Sequence, residues 1–240
     1  MWAWSCSSLA NRLAVPAMEM QGLPLDAEEV RPLYADADPI HDFDHVMRVA
    51  ALGWHLARAE GADPEIVRTA ALLHDVPVAG TEREDHHVVA AEQASDFLVG
   101  RSVPAAAIDL VVDCIKGHRF RNRGAARNSL EAKCLYDADK IDVLGAIGIV
   151  RAFAFAGLHG HSLWHCATFA ASEQDLTAGT WPSTPALEWR TKLDRLVDSM
   201  HTASGRALAA QRHAVALRFC QSLQAEYLQA MSPDPLNPQG

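Results

Sequence analysis

Apolar residues recur along most of this chain every three or four positions, which is the period of an α-helix and not of a β-strand. One such pattern runs over 44–60 and meets Gly61, a common stop signal after a helix. Asp63 and Pro64 follow as a start signal, because aspartate caps a helix well and proline suits its first position. The next pattern runs from Pro64 to the pair His74–Asp75. These two segments are therefore predicted to be consecutive helices.

Further helical patterns follow, separated by glycine, proline and polar residues. We predict helices over 86–99, 104–116, 135–155, 186–200 and 203–230. Asn128 and Glu131 have the spacing of a capping box for the helix that carries 135–155. The stretch 157–185 has few periodic positions and is predicted to be a long lid or a connection with one short helix. Since no alternating, strand-like run of useful length occurs, the predicted fold class is all-α with a single domain.

The composition is that of a globular protein with an acidic balance. With 240 residues and 49% hydrophobic content, the chain is long enough for one domain with a substantial core. The formal net charge of -9 argues against a nucleic-acid surface, which needs clustered Lys and Arg. The five cysteines form no CxxC pair, as expected of thiols in a reducing compartment. With neither a secretory signal nor an apolar run of about 18 residues, we predict a cytoplasmic protein without a membrane role.

Histidine and aspartate residues gather near the ends of the predicted helices. His45 lies near the start of one helix, and His74–Asp75 end the next. Adjacent residues on a helix point about 100° apart, so this pair can share one ion only beyond the last helical turn. Asp137, Asp139 and Asp142 compete for a fourth position, and the last two share a helical face. Imidazole and carboxylate groups suit a borderline or hard divalent cation, so the pattern predicts a metal site between helices.

The segments around these residues resemble the HD-domain metal-dependent phosphohydrolases, which carry the signature H…HD…D. The resemblance lies in His41-Asp-Phe-Asp-His45, in Ala-Leu-Leu-His-Asp ending at Asp75, and in Asp-Ala-Asp-Lys-Ile-Asp ending at Asp142, with the Gly-Ala-Ile-Gly-Ile-Val-Arg-Ala-Phe that follows. Together these segments make the sequence similar to one branch of the family, the small, stand-alone bacterial HD hydrolases. We therefore expect a helical bundle of the HD-domain type over 38–230. An N-terminal extension over 1–37 would pack on or precede it, and a disordered tail would occupy 231–240.

In that family an aspartate in the frame Ala-Asp-x-(Leu/Ile) is a metal ligand, and this frame selects Asp139. The resemblance thus implies a divalent metal ion, Mn²⁺, Mg²⁺, Fe²⁺ or similar, held by His45, His74, Asp75 and Asp139. An octahedral ion with these four ligands keeps two positions, one for water and one for a substrate oxygen. The implied activity is hydrolysis of a phosphate ester or anhydride in a small phosphorylated metabolite. A nucleotide is the expected substrate, because the branch includes nucleoside-triphosphate pyrophosphohydrolases.

Other polar residues near this signature are candidates for the chemistry. His87 and His118 match positions at which the family carries histidines that bind a second metal, contact phosphate or shuttle a proton. Asp142 is expected to hold a ligand histidine or its helix in place. The catalytic candidates are His87, His118, Lys140 and Asp142. The candidates for binding substrate phosphate through positive charge are Arg48, Lys140 and Arg119.

The sequence leaves open which residue would orient the attacking water. Some nucleotidase branches place a glutamate three residues after the HD pair, where this chain has Val78; Glu82, Glu84 and Asp85 follow on the same loop. Two alternative functions are a di-iron HD-type oxygenase, which would recruit additional histidine ligands, and a non-catalytic sensor that binds nucleotide and metal. The apolar C-terminal helices are also compatible with a homodimer.

Overall fold

The computed structural model describes residues 23, 25–38, 40, 42–77, 86–118, 129–165, 168, 171–178 and 181–232. Within these residues the chain is helical and contains no strand, which confirms the predicted all-α fold class. The helices in chain order are α1 (Ala27–Val30), α2 (Phe43–Glu60), α3 (Pro64–Leu73), α4 (His86–Val99), α5 (Ala105–Gly117), α6 (Leu130–Asp142), α7 (Gly145–Leu158), α8 (Glu173–Ala178), α9 (Pro185–Thr191) and α10 (Ala203–Ala230). Short 3₁₀ turns occupy Arg31–Tyr34, Leu193–Arg195 and Val197–Ser199.

The capping signals in the sequence act as predicted at the first two long helices. Gly61 ends α2 in the left-handed conformation, with a φ of 83°, which favours glycine because it has no Cβ. The side chain of Asp63 accepts hydrogen bonds from the backbone N–H groups of Glu65 and Ile66, and Pro64 takes the first position of α3. The connection between the two helices is therefore short, and they pack side by side.

The prediction of one helix over 135–155 is wrong, because the structure has two helices there. α6 ends at Asp142, and α7 begins at Gly145 after a short break. Gly145 has a φ of 71°, a left-handed conformation that interrupts the helical backbone and that apolar periodicity does not reveal. The helix predicted over 186–200 is also too long, since α9 ends at Thr191 and 3₁₀ turns follow.

The capping box predicted for Asn128 and Glu131 is replaced by a different cap. Ser129 is the N-cap of α6, and its hydroxyl oxygen accepts a hydrogen bond from the N–H of Ala132. Glu131 accepts a hydrogen bond from the N–H of Asp63 at 2.9 Å, so it ties α6 to the start of α3 rather than to its own cap. Asn128 itself lies outside the described residues.

The core lies where α2, α3, α5 and α6 pack against one another. Val46, Leu72 and Leu135 at its centre have no exposed surface, and burying each such side chain stabilises the fold by about 1.5–3 kcal/mol. The segment ahead of α2 joins the same core through Val30, which is fully buried. The predicted domain boundaries stay predictions, and 233–240 of the predicted tail lies outside the described residues.

The C-terminal helices carry apolar side chains on the surface. α7 packs against α10, and the rings of Phe153 and Phe219 are 5.9 Å apart there. Val150 and Leu228 are mostly exposed, but the predicted homodimer stays a prediction. Over the described ranges, no helix by itself has the length and apolar character to cross a membrane; α6 and α7 meet that test only as a pair, bent by 68°.

A buried aspartate anchors the last helix to α6. Asp137 accepts hydrogen bonds from the backbone N–H groups of His201 at 2.9 Å and Thr202 at 2.8 Å, and from the Thr202 hydroxyl at 2.6 Å. Thr202 is in turn the N-cap of α10. Of the three aspartates Asp137, Asp139 and Asp142, Asp137 is the one outside the helical face shared by the other two, and these bonds give it a structural role. Gly205 packs directly against the Asp137 carboxylate and the Thr202 hydroxyl. A Cβ at this position would overlap Asp137 Oδ2 and come within 2.7 Å of Thr202 Oγ1.

Gly205→Ala is therefore expected to destabilise the fold by about 1–3 kcal/mol, because the added methyl group overpacks a buried, hydrogen-bonded cluster. The matched control is Gly157→Ala, since Gly157 is exposed on α7 and a Cβ there would meet open space. The control is expected to stabilise the fold by up to about 1 kcal/mol. Urea denaturation measures both changes. Equal stability of the two variants would contradict the anchoring role.

Candidate metal centre

Four side chains at the ends of three helices meet at one point in the fold. His45 is in the first turn of α2, His74 and Asp75 follow the last residue of α3, and Asp139 is in the last turn of α6. His45 Nε2 lies 3.6 Å from Asp75 Oδ2 and 3.7 Å from Asp139 Oδ1. His74 Nε2 lies 3.6 Å from the same Asp75 oxygen. The fold thus brings together the four residues that the sequence predicted as metal ligands.

The adjacent residues His74 and Asp75 can converge because the helix that precedes them has already ended. α3 stops at Leu73, and His74 is its C-cap. Nδ1 of His74 donates a hydrogen bond to the carbonyl oxygen of Ala71 at 2.7 Å, and Nε2 is then directed to the cluster. This is the arrangement that helix geometry requires of two adjacent ligands, with the shared point beyond the last turn.

A buried carboxylate orients His45. Asp142 Oδ2 accepts a hydrogen bond from His45 Nδ1 at 2.8 Å, which places a proton on Nδ1 and directs Nε2 to the cluster. A carboxylate in this position fixes the tautomer of a ligand histidine and makes the imidazole more basic. Asp142 was predicted to hold a ligand histidine in place, and that role requires a hydrogen bond such as this one to His45.

Two arginines hold Asp142 in its ionised form. Arg48 donates from Nε to Oδ1 at 2.8 Å and from Nη2 to Oδ2 at 3.1 Å, and Arg151 donates from Nη1 to Oδ2 at 2.8 Å. Burial raises the pKa of Asp142, but the hydrogen bonds from His45 and Arg48 and the charge of Arg151 outweigh it and lower the pKa to about 2. Asp142 therefore joins α2, α6 and α7 as a fully buried anion.

The two candidate ligand carboxylates are ionised as well. Burial raises the pKa of Asp75, but the neighbouring histidines, His74 first, outweigh burial and leave the pKa well below its ordinary value. Burial also raises the pKa of Asp139, but nearby positive charges outweigh burial and lower this pKa. The largest of these charges is that of Lys140, whose Nζ lies 2.5 Å from Asp139 Oδ2. Both side chains are therefore in the deprotonated form that binding a cation requires.

A third histidine borders the cluster. His118 Nε2 lies 3.7 Å from Asp75 Oδ1, and its ring meets that of His74 edge to face at 5.2 Å. Nδ1 of His118 donates a hydrogen bond to the carbonyl oxygen of Ile115 at 2.5 Å. Burial, and then the nearby His74, lower the pKa of His118 to about 3, so the ring is neutral.

Of the other predicted site residues, two contact carboxylates of the site, one is buried in α4, and one lies outside the described residues. Lys140 and Arg48 both pair with carboxylates of the site, and their predicted contacts with substrate phosphate stay predictions. His87 is buried in the first turn of α4, and its role also stays a prediction. Arg119 and the loop 78–85, with its candidate carboxylates, lie outside the described residues.

Arg151 is a site residue that the sequence reasoning missed. It contacts Asp142, nine residues earlier in the chain, across the break between α6 and α7. Its one signal was its place inside the Gly-Ala-Ile-Gly-Ile-Val-Arg-Ala-Phe segment, where nothing local marks it as a partner of Asp142. Arg212 of α10 was missed too, and it donates to the carbonyl oxygen of Ile141 at 3.0 Å.

The donor set fits a divalent metal ion. His74 Nε2 is buried and has no hydrogen-bond partner in the described part of the chain, which costs free energy unless another group binds it. The ligand atoms of His45, His74 and Asp139 lie within 4.8 Å of one another. Ligands placed about 2.1 Å from an octahedral ion stand about 3 to 4 Å apart. The separations of 3.6 and 3.7 Å agree with this.

The HD-domain family model matches residues 42–144, a stretch that contains all four candidate ligands. The chain belongs to the HD-domain family. YpgQ of Bacillus subtilis (strain 168), a small stand-alone protein, is 36% identical over 200 residues, which cover 82% of this chain and 89% of YpgQ. The crystal structure of YpgQ in complex with ADP has a TM-score of 0.63 at 30% identity, with 83% of this chain and 91% of that chain covered.

A second structural neighbour gives the same result for the fold. The structure of an HD-superfamily hydrolase from Bacillus thuringiensis has a TM-score of 0.61 at 26% identity, with 83% of this chain and 97% of that chain covered. The chain therefore has the fold of the HD-superfamily hydrolases, and its own candidate ligands lie at the ends of three helices of the core.

Asp142→Asn is expected to weaken the binding of Mn²⁺ by about 10- to 100-fold, because the neutral amide no longer fixes the His45 tautomer and leaves two arginines without their anion. Isothermal titration calorimetry on the folded variant measures the affinity. Asp109→Asn serves as the control, since Asp109 is exposed on α5. Wild-type affinity in the Asp142 variant would show that the carboxylate does not act on the ligand.

Proposed function

We propose that this protein is a metal-dependent phosphohydrolase that cleaves a phosphate ester or anhydride with the help of a divalent ion. The observation that carries the proposal is the meeting of two imidazole Nε2 atoms and two ionised carboxylates at one buried point. The residues that would hold the ion are His45, His74, Asp75 and Asp139. The HD-superfamily hydrolase fold supports the same activity.

The chain's own side chains supply the positioning around that ion. When bound, the ion supplies a Lewis acid that lowers the pKa of water and offsets charge developing on the phosphoryl group. Lys140, whose ammonium group bonds to Asp139, lies beside the cluster and donates to a phosphate oxygen. His118 is neutral and donates through Nδ1, so its Nε2 accepts a hydrogen bond from the attacking water. Water attacks phosphorus directly: a new P–O bond forms, the P–O bond to the leaving group breaks, and the leaving oxygen takes up the proton that the water loses, so no covalent enzyme intermediate is needed.

The charge of the site supports an anionic substrate. The carboxylates of Asp75, Asp139 and Asp142 carry three negative charges, and the three cations Lys140 (on Asp139), Arg48 and Arg151 (both on Asp142) carry three positive charges. These charges cancel, so a divalent ion would leave the site with an excess of two positive charges. Phosphate groups carry the complementary charge, and a positively charged cleft raises the local concentration of such a substrate.

We further propose that the substrate is a nucleotide. YpgQ, which is 36% identical to this chain, has been crystallised in complex with ADP. ADP carries two adjacent phosphoryl groups, and a site with excess positive charge favours such a ligand over one with a single phosphate monoester. The bond that is cleaved follows from the product released, because phosphate and pyrophosphate report different bonds.

The test is a release assay for phosphate and pyrophosphate across nucleotides and sugar phosphates. The protein is first stripped of metal, and Mn²⁺, Mg²⁺, Co²⁺ or Fe²⁺ is then added back. Turnover is expected with metal only, and Asp75→Ala is expected to lower kcat/KM by at least about a hundredfold, because it removes a metal ligand. Asp109→Ala, an exposed aspartate on α5, is the matched control and is expected to keep wild-type activity.

Two results would count against this function. Turnover that survives both metal removal and Asp75→Ala would mean that the cluster is not the active centre. Tight nucleotide binding by the metal-loaded protein, with no product from any substrate, would favour the non-catalytic sensor.

The position of His118 favours one second candidate, the oxygenase with two iron ions. Asp75 Oδ2 lies 3.6 Å from His74 Nε2, while Asp75 Oδ1 lies 3.7 Å from His118 Nε2. A carboxylate that faces different histidines with its two oxygens can bridge two ions. The hydrolase that we propose needs only the ion on the His74 side.

Metal content separates the two candidates. The hydrolase is expected to hold one divalent ion per chain, and His118→Ala is expected to leave that number unchanged. Elemental analysis of the purified protein and the variant measures both. Two irons per chain, loss of one in the His118 variant and consumption of O₂ would support the oxygenase instead.

A further inference from the structure

The hydroxyl group of Tyr34 lies at the place where α3 ends. It donates a hydrogen bond to the carbonyl oxygen of Leu72 at 3.0 Å, and the backbone of Asp75 lies beside the same hydroxyl. The last carbonyl oxygens of a helix have no partner within the helix itself, and Tyr34 supplies one for Leu72. Tyr34 thereby links the last turn of α3 to the backbone of a candidate ligand.

This contact replaces the bond that would continue the helix. In an uninterrupted α-helix the N–H of Asp75 would donate to the carbonyl oxygen of Ala71, four residues earlier. That oxygen instead accepts the Nδ1 proton of His74 at 2.7 Å. The carbonyl oxygen of Leu72 likewise accepts the hydroxyl of Tyr34 instead of an N–H from a further turn, so the helix can end before the His74–Asp75 pair.

We propose that Tyr34 is a positioning residue for the metal centre: its hydroxyl holds the Asp75 backbone outside the helix, so that the Asp75 carboxylate meets His45 and His74. The inference rests on the proposed metal site. Asp75 Oδ2 lies 3.6 Å from the Nε2 atoms of both histidines, and a rotation of the Asp75 backbone into the helix would separate them. Tyr34 touches neither substrate nor ion and acts through Asp75.

Tyr34 is itself held firmly enough to do this. It is buried, and its ring packs against Phe43 at the start of α2, with the ring centroids 5.6 Å apart. Burial, and then the negative charge of Asp75, hold the pKa of Tyr34 well above its usual range, so the hydroxyl keeps the proton that it donates. Because Tyr34 lies in the 3₁₀ turn Arg31–Tyr34, the segment ahead of α2 supports the candidate metal centre from outside it.

The test compares Tyr34→Phe with Tyr136→Phe in the full-length protein. Tyr136 is also buried, and its hydroxyl bonds to Ser199 at 3.2 Å, so both variants lose one buried hydroxyl group and a similar amount of stability. Tyr34→Phe is expected to weaken Mn²⁺ binding by at least about tenfold in isothermal titration calorimetry. Tyr136→Phe is expected to keep wild-type affinity.

A second readout follows the Asp75 backbone without any metal. The amide hydrogen of Asp75 is expected to exchange with solvent faster in Tyr34→Phe than in the wild type or in Tyr136→Phe, as measured by NMR. Wild-type Mn²⁺ affinity together with wild-type exchange in the Tyr34 variant would overturn the inference, and so would equal losses of affinity in both variants. A wild-type protein that binds none of the divalent ions would overturn the proposed function first, so the two failures are distinguishable.

Discussion

The candidate site depends on one geometric constraint, which is that the adjacent residues His74 and Asp75 must reach the same point. Within a helix their side chains would diverge by about 100°. The helix therefore has to end before them, and other groups have to satisfy the backbone atoms that a further turn would have paired. The Ala71 carbonyl accepts the ring N–H of His74, and the Leu72 carbonyl accepts the hydroxyl of Tyr34. The helix end is thus built partly by His74, a candidate ligand, and partly by Tyr34, a residue from another segment.

The second requirement is a fixed direction for His45, and Asp142 meets it. Burying an ion pair seldom adds stability, because the cost of removing the charges from water offsets their attraction. A fully buried carboxylate with His45, Arg48 and Arg151 around it is therefore better explained by what it does for the site. It fixes the proton of His45 on Nδ1 and sets the relative positions of α2, α6 and α7, which is the precision that a metal ligand needs.

The sequence predicts what is local and misses what is not. The bounds of α2 and α3 follow from Gly61 and from Asp63 with its proline, since caps act on their own turn. The four candidate ligands could be found because each lies at a helix end in a recognisable segment. Tyr34 and Arg151 could not, because their partners are set by how helices pack and no nearby residue signals the contact. The break at Gly145 was hidden for a similar reason, since apolar spacing continues across it.

The arginines and lysine around the ligands decide the sign of the charge that a substrate would meet. Without them, a divalent ion among the carboxylates of Asp75, Asp139 and Asp142 would leave one net negative charge, which repels phosphate. Lys140 on Asp139, and Arg48 and Arg151 on Asp142, turn this into a net positive charge while leaving the carboxylates ionised. Because the cations bond to carboxylate oxygens rather than lying free, the site balances its charge before an ion arrives. Attraction for the proposed phosphorylated substrate would then come with the metal and not before it.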